Sequence, residues 1–251
     1  MIRELSRKEY VERKSFLAIG FVLVLALTAV MPFFFSFSLK TAIANPLNEN
    51  AQSILRNFRS YAYFVESDWI ASNLSHILSL LALIAGAGAI AGEREAKTLP
   101  LLYTSSVSLK SIVIVKFVVI AAWLFLVTFA SLAVLAAHAL VGRQSLPIGA
   151  MLVASVVAWA NALAFLAVVF AASAFVRRTI YAVVGALVIG FALAAGLGFL
   201  GLNGTAFATN VFASDGSIRW PIAWSDLLLA LVLGCAGMFV TFVELDRRRA
   251  T

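Results

Sequence analysis

Charge is what this sequence has least of. Asp, Glu, Lys and Arg make up 12% of its 251 residues against 63% hydrophobic residues, whereas a soluble domain carries about 25% charged residues. With a mean hydropathy of +1.00, a soluble enzyme or soluble binding module is excluded. Long polar segments are missing as well. The longest stretch outside an apolar run, Lys40 to Asp68, is too short to bury a core of its own, so no separate catalytic domain fits. Cysteine is nearly absent: Cys235 lies alone inside an apolar run, which leaves neither a disulfide framework nor a Cys-rich metal site. The two histidines are far apart, His76 inside the second apolar run and His138 at the outer end of the third, so no metal site is expected from them.

What is present is a set of apolar runs, each about as long as a helix needs to cross roughly 30 Å of hydrocarbon. They cover about Phe16–Leu39, Trp69–Ala91, Ile112–Ala137, Ile148–Val176, Ile180–Leu202 and Trp224–Val243. The runs are continuous rather than alternating, and an open sheet edge cannot be satisfied in lipid, so they read as helices. The fold class is thus an all-α membrane protein with six spans, residues 1–251 forming a single transmembrane domain. Ala42-Ile43-Ala44 imitates a signal-peptidase site, but the 24-residue run before it exceeds the roughly 7–15 residues of a signal core and is read as a retained span.

The distribution of Lys and Arg sets the expected orientation. With the N-terminus inside, Arg3, Arg7, Lys8, Arg13, Lys14, Arg94, Lys97, Lys110, Lys116, Arg177, Arg178, Arg247, Arg248 and Arg249 are inside. Only Lys40, Arg56, Arg59, Arg143 and Arg219 are outside. Both termini are therefore expected in the cytoplasm, in a multi-pass protein of the inner (cytoplasmic) membrane. The net charge of +7 is accounted for by anionic headgroups of the inner leaflet, with no nucleic-acid partner required.

Residues 1–15 mix both charge signs around a thin apolar stripe and read either as an interfacial helix lying on the membrane or as a solvated basic flank. In the first outer loop, Ile54, Leu55, Phe58, Tyr61, Ala62 and Val65 recur on one face, the pattern of a short amphipathic helix. The loop 92–111 between the second and third runs is the most informative. Four charges in Glu93–Lys97 precede an apolar cluster at Leu99, Leu101, Leu102 and Tyr103; such a cluster either docks another protein or lies on the membrane face.

That segment carries a resemblance. Gly92-Glu93-Arg94-Glu95-Ala96-Lys97-Thr98-Leu99-Pro100-Leu101-Leu102-Tyr103-Thr104-Ser105-Ser106-Val107-Ser108, followed by Lys116-Phe117, resembles the mark of ABC-2-type transporter permease subunits. Lys97 stands where that family often has Gly, and Ser106 where it often has Pro. The resemblance extends over the whole chain and implies an N-terminal elbow helix (1–15), six spans and a coupling helix after the second span. It further implies that Glu93, Arg94, Glu95, Thr98, Leu99, Leu101 and Leu102 meet an ABC ATPase subunit, and that two permeases, alike or related, work with two ATPases, most often as an exporter. The chain itself has no Gly-x-x-x-x-Gly-Lys-(Ser/Thr) phosphate loop, so it is not expected to be an enzyme; no cofactor is expected on it, and ATP and Mg belong with the partner. The alternative is a stand-alone secondary transporter or a membrane-embedded enzyme acting on lipid.

Candidates for lining a path are few. Ser72, Ser75, His76 and Ser79 at i, i+3, i+4 and i+7 make one hydrophilic stripe in the second run, and Asn161 lies near the centre of the fourth. Either set lines a path or an interface, or serves as helix–helix packing. No charge is expected near the middle of a span, and Lys116 is close enough to one end to snorkel, which argues against a gradient-driven mechanism.

Overall fold

A computed structural model describes residues 2–44, 52, 60–97, 108–199 and 219–249. All regular elements among them are helical. They are α1 (Ile2–Ala44), α2 (Tyr61–Ala87), α3 (Ala91–Glu95), α4 (Leu109–Val141), α5 (Ile148–Phe175), α6 (Thr179–Phe199) and α7 (Trp220–Arg249). Six segments are long and apolar enough to cross a membrane, α2 and α3 counting as one. In lipid only a helix satisfies every backbone N–H and C=O internally, so uninterrupted apolar runs become helices whatever their finer propensities.

α5 is the centre of the bundle, and small residues let its neighbours close on it. A Cβ on Gly237 of α7 would come within 2.7 Å of the Ala167 carbonyl carbon, and one on Gly86 of α2 within 2.9 Å of Leu166 and Val169. α6 meets α5 where Gly190 faces the Phe165 ring. α4 meets it through Phe117 on Phe170, ring centres 5.6 Å apart, and through Trp159 Nε1 donating to the Ala121 carbonyl at 3.1 Å. α1 lies against α4 instead, held by Trp123 Nε1 donating to the Leu17 carbonyl at 3.0 Å. Most of α2 and α5 is buried within the chain, whereas most of α1, α6 and α7 is not.

Local chemistry sets the helix ends. The Ser108 hydroxyl accepts from Ser111 N at the start of α4, a side-chain N-cap. At the far end of α4, Gly142 N returns to the His138 carbonyl (2.8 Å) and Gln144 N to that of Ala139 (2.9 Å), with Arg143 at φ 51°, a left-handed residue that stops the helix. Lys97 at φ 57° ends α3 in the same way.

Three features depart from the sequence reading. Residues 2–15 and the first span are one helix with no break, α1, of 43 residues and about 64 Å at 1.5 Å per residue. α2 starts at Tyr61, well before the apolar run at Trp69, because Ser60 caps it by accepting from Tyr63 N at 3.2 Å. Tyr61 and Phe64 also pack on Phe35, with ring centres 5.5 and 5.1 Å away. Tyr61 and Phe64 are thus the first turn of a span rather than the end of a surface helix; the rest of that expected helix, 53–59, lies outside the described residues. The third departure is a π-helical stretch, Val65–Leu74, inside α2. It carries Glu66, which is fully buried in the second turn of α2, away from the middle of the span.

Candidate functional site

The chemistry concentrates at the basic end of the bundle, where α2 stops. The chain turns at residues 88–90 and resumes as α3. The break exposes backbone groups that have lost their helical partners, and one buried hydroxyl of α5 satisfies them. Ser173 Oγ donates to the Ala87 carbonyl at 2.9 Å and accepts from Ile90 N at 3.2 Å and Ala91 N at 2.8 Å. One donation and two acceptances use the full capacity of a hydroxyl. Ser173 sits in an apolar run, and nothing in the sequence points to a partner more than eighty residues earlier.

α3 then projects three consecutive charged side chains. Successive residues of a helix point about 100° apart, so Glu93, Arg94 and Glu95 fan out to three different elements. Glu93 Oε1 accepts from Lys116 Nζ of α4 at 2.9 Å. Arg94 Nη1 donates to the carbonyls of Ala174 (2.7 Å) and Val176 (3.0 Å), where α5 ends. Glu95 Oε2 accepts from both Thr179 N (3.1 Å) and Thr179 Oγ1 (2.9 Å), where α6 begins. The signs suit the helix ends: a guanidinium faces unsatisfied carbonyls at a C-terminus, and a carboxylate faces unsatisfied N–H groups at an N-terminus.

Lys116 does not snorkel. Its side chain is 3% exposed against 22% for Glu93, because the carboxylate reaches the ammonium from α3 and the lysine need not extend to water. A second ion pair, Lys110 Nζ to Asp246 Oδ2 at 2.7 Å, joins the start of α4 to the end of α7; both side chains are more than half exposed.

Of the residues expected to contact a partner, Glu93, Arg94 and Glu95 are thus turned toward the chain itself, with Glu95 on the surface. Thr98, Leu99, Leu101 and Leu102 lie outside the described residues. The serine and histidine stripe does not form one face. Ser72 and His76 are exposed, Ser75 is buried and Ser79 is half-buried; Ser75 and His76, adjacent in the helix, point about 100° apart. Their polar groups go to their own helix: Ser75 Oγ donates to the Ile70 carbonyl at 2.7 Å, Ser79 Oγ to that of Ser75 at 2.9 Å, and the His76 ring meets the Ser72 carbonyl. Asn161 is buried elsewhere, one turn before Ala164, which faces Gly234 of α7, and Phe165, which faces Gly190 of α6. Its amide Nδ2 has no hydrogen-bond partner among the described residues.

The profile of the ABC-2 family transporter proteins matches residues 5–241. The chain belongs to the ABC-2 transporter family. No match is found among curated proteins. As an ABC-2 permease it is a multi-pass membrane component of a transporter, and membership implies association with ABC ATPase subunits and a permease partner. α3 and all of its ties lie within the matched region.

Proposed function

We propose that this permease is the transmembrane half of an ATP-driven exporter of the inner membrane, with both termini cytoplasmic. Two copies, or this chain and a related one, form the path, and two ATPase subunits bind ATP and Mg. The ATPases seat on the loop following α3, through Thr98, Leu99, Leu101 and Leu102, and their closure is passed to the spans by Glu93, Arg94 and Glu95. The observation that carries this reading is the fan of three charges from α3 to α4, α5 and α6: a loop beside that fan has leverage on half of the bundle. Short outer segments and apolar spans suit a hydrophobic or amphipathic cargo taken from the membrane and its inner face. Lipid covers the apolar faces of α1, α6 and α7 that no partner occupies.

Co-expression with an ABC ATPase, followed by purification and reconstitution, tests the proposal. A stable complex whose ATP hydrolysis responds to charge reversal at Glu93 and Glu95 is expected. Cargo flux driven by an ion gradient in vesicles without ATP would instead establish a secondary transporter.

A further inference from the structure

We propose that α3, with the ends of α4, α5 and α6 that it holds, moves as one rigid block about the break at residues 88–90, and that Arg94, Glu95 and Thr179 are the positioning residues that keep the block together. The proposal rests on the coupling function above but concerns contacts inside this chain.

The bonds on the two sides of the break differ in kind. On the α2 side the chain reaches α3 through a turn whose exposed backbone groups are taken by the single hydroxyl of Ser173. Gly88 sits in that turn, and a Cβ there would meet nothing within 4 Å, so the turn has room to flex. On the other side α3 is tied to α4, α5 and α6 by five polar contacts, each with a charged donor or acceptor. Charge-assisted bonds are roughly twice as strong as neutral ones. Motion entering beyond α3 therefore has charge-assisted routes into α4, α5 and α6, whereas it reaches α2 only through the turn and the neutral bonds of Ser173. α1 makes its polar contacts with α4 further along the bundle, at Leu17 and Thr28, and is outside the block.

Spin labels on cysteines test this in the purified, full-length permease. In a Cys235→Ser background, one label pair at Ala96 and Tyr181 spans the block, and another at Lys14 and Tyr181 spans block and α1; Ala96, Tyr181 and Lys14 are exposed. Without any partner, the Ala96–Tyr181 distance distribution is expected to be narrow, to widen clearly in Arg94→Gln and Thr179→Val, and to return to the narrow form in Thr179→Ser, which keeps the hydroxyl. Thr179 is only half-buried and Val matches Thr in size, so Thr179→Val, checked by its unfolding midpoint, reads the block even where a change at Arg94 or Lys116 does not fold. A distribution that is broad from the start, or equally narrow in all variants, overturns the block. In the reconstituted complex, trapping with ATP and vanadate is expected to shift the Lys14–Tyr181 distance and leave Ala96–Tyr181 unchanged; a shift in Ala96–Tyr181 overturns it. If neither pair responds to nucleotide, the ATP-driven reading fails, and the partner-free widths still decide the block.

Discussion

Lys116 and Glu93 meet at 2.9 Å with very unequal exposure, 3% against 22%. The ammonium is out of water and the carboxylate is at its edge, so the two partners are not equivalent. Breaking a buried pair strands the charge that remains, at a cost of about 3–5 kcal/mol for full burial. Glu93→Gln takes this carboxylate from the buried lysine and is expected to cost roughly 2–3 kcal/mol. Lys116→Gln leaves a carboxylate that water reaches, and should cost less. Thermal unfolding of the two variants in the same detergent checks the order; a larger loss for Lys116→Gln would contradict it.

The closest helix approach gives a second prediction. Gly237→Ala places a Cβ 2.7 Å from the Ala167 backbone, and backbone in the middle of α5 cannot step aside as a side-chain tip can. Overpacking of this kind costs about 1–3 kcal/mol. Gly196→Ala, where a Cβ meets nothing within 4 Å, should be neutral or gain up to about 1 kcal/mol from helix propensity. Unfolding midpoints of the pair measure the contrast directly.

A buried polar chain links three spans. Trp69 Nε1 donates to Ser131 Oγ at 2.8 Å, and that hydroxyl lies 2.9 Å from Thr28 Oγ1. Ser131→Ala leaves the indole N–H without its acceptor, at about 1–3 kcal/mol. Adding Trp69→Phe removes the stranded donor but also opens space, so the double variant should recover part of the loss rather than add to it. Thr28 spends its one proton on the Val24 carbonyl at 2.7 Å and so accepts from Ser131; Thr28→Ala takes that acceptor away and is expected to cost about 1–3 kcal/mol. A double-mutant cycle on unfolding free energies reads the coupling.

Asn161 predicts a gain. Its amide Nδ2 is buried without a hydrogen-bond partner among the described residues, and a buried polar group left unsatisfied costs about 1–3 kcal/mol. Asn161→Leu, close in volume and apolar, should raise the unfolding midpoint of the isolated permease. A lower midpoint would mean that the amide has a structural partner in the folded state.

The six spans were legible because hydropathy is a backbone-satisfaction rule in lipid: the run from Ile148 to Val176 could do nothing but form a helix. The α3 segment was legible as an important place because Glu93, Arg94 and Glu95 stand together in a chain with little charge. Their partners were not legible. Lys116 is 23 residues away and Thr179 is 84 away, and only the packing of α4, α5 and α6 brings them in. The place of Glu66 was hidden for a related reason. Periodicity places Glu66 in a loop, while Ser60 capping and the aromatic contacts of Tyr61 and Phe64 with Phe35 draw it into α2. The serine stripe is broader than it looks in sequence: Ser75 and His76 are neighbours about 100° apart on the helix, and the first is buried while the second is exposed.

In the coupling scheme proposed above, an ATPase docks at the end of the bundle that carries α3. A photo-reactive phenylalanine analogue at Leu101, compared with the same group at Arg143 at the opposite end, tests it most directly in the co-expressed complex. The account predicts an ATPase adduct from Leu101 and none from Arg143; an adduct at Arg143 with none at Leu101 would contradict it.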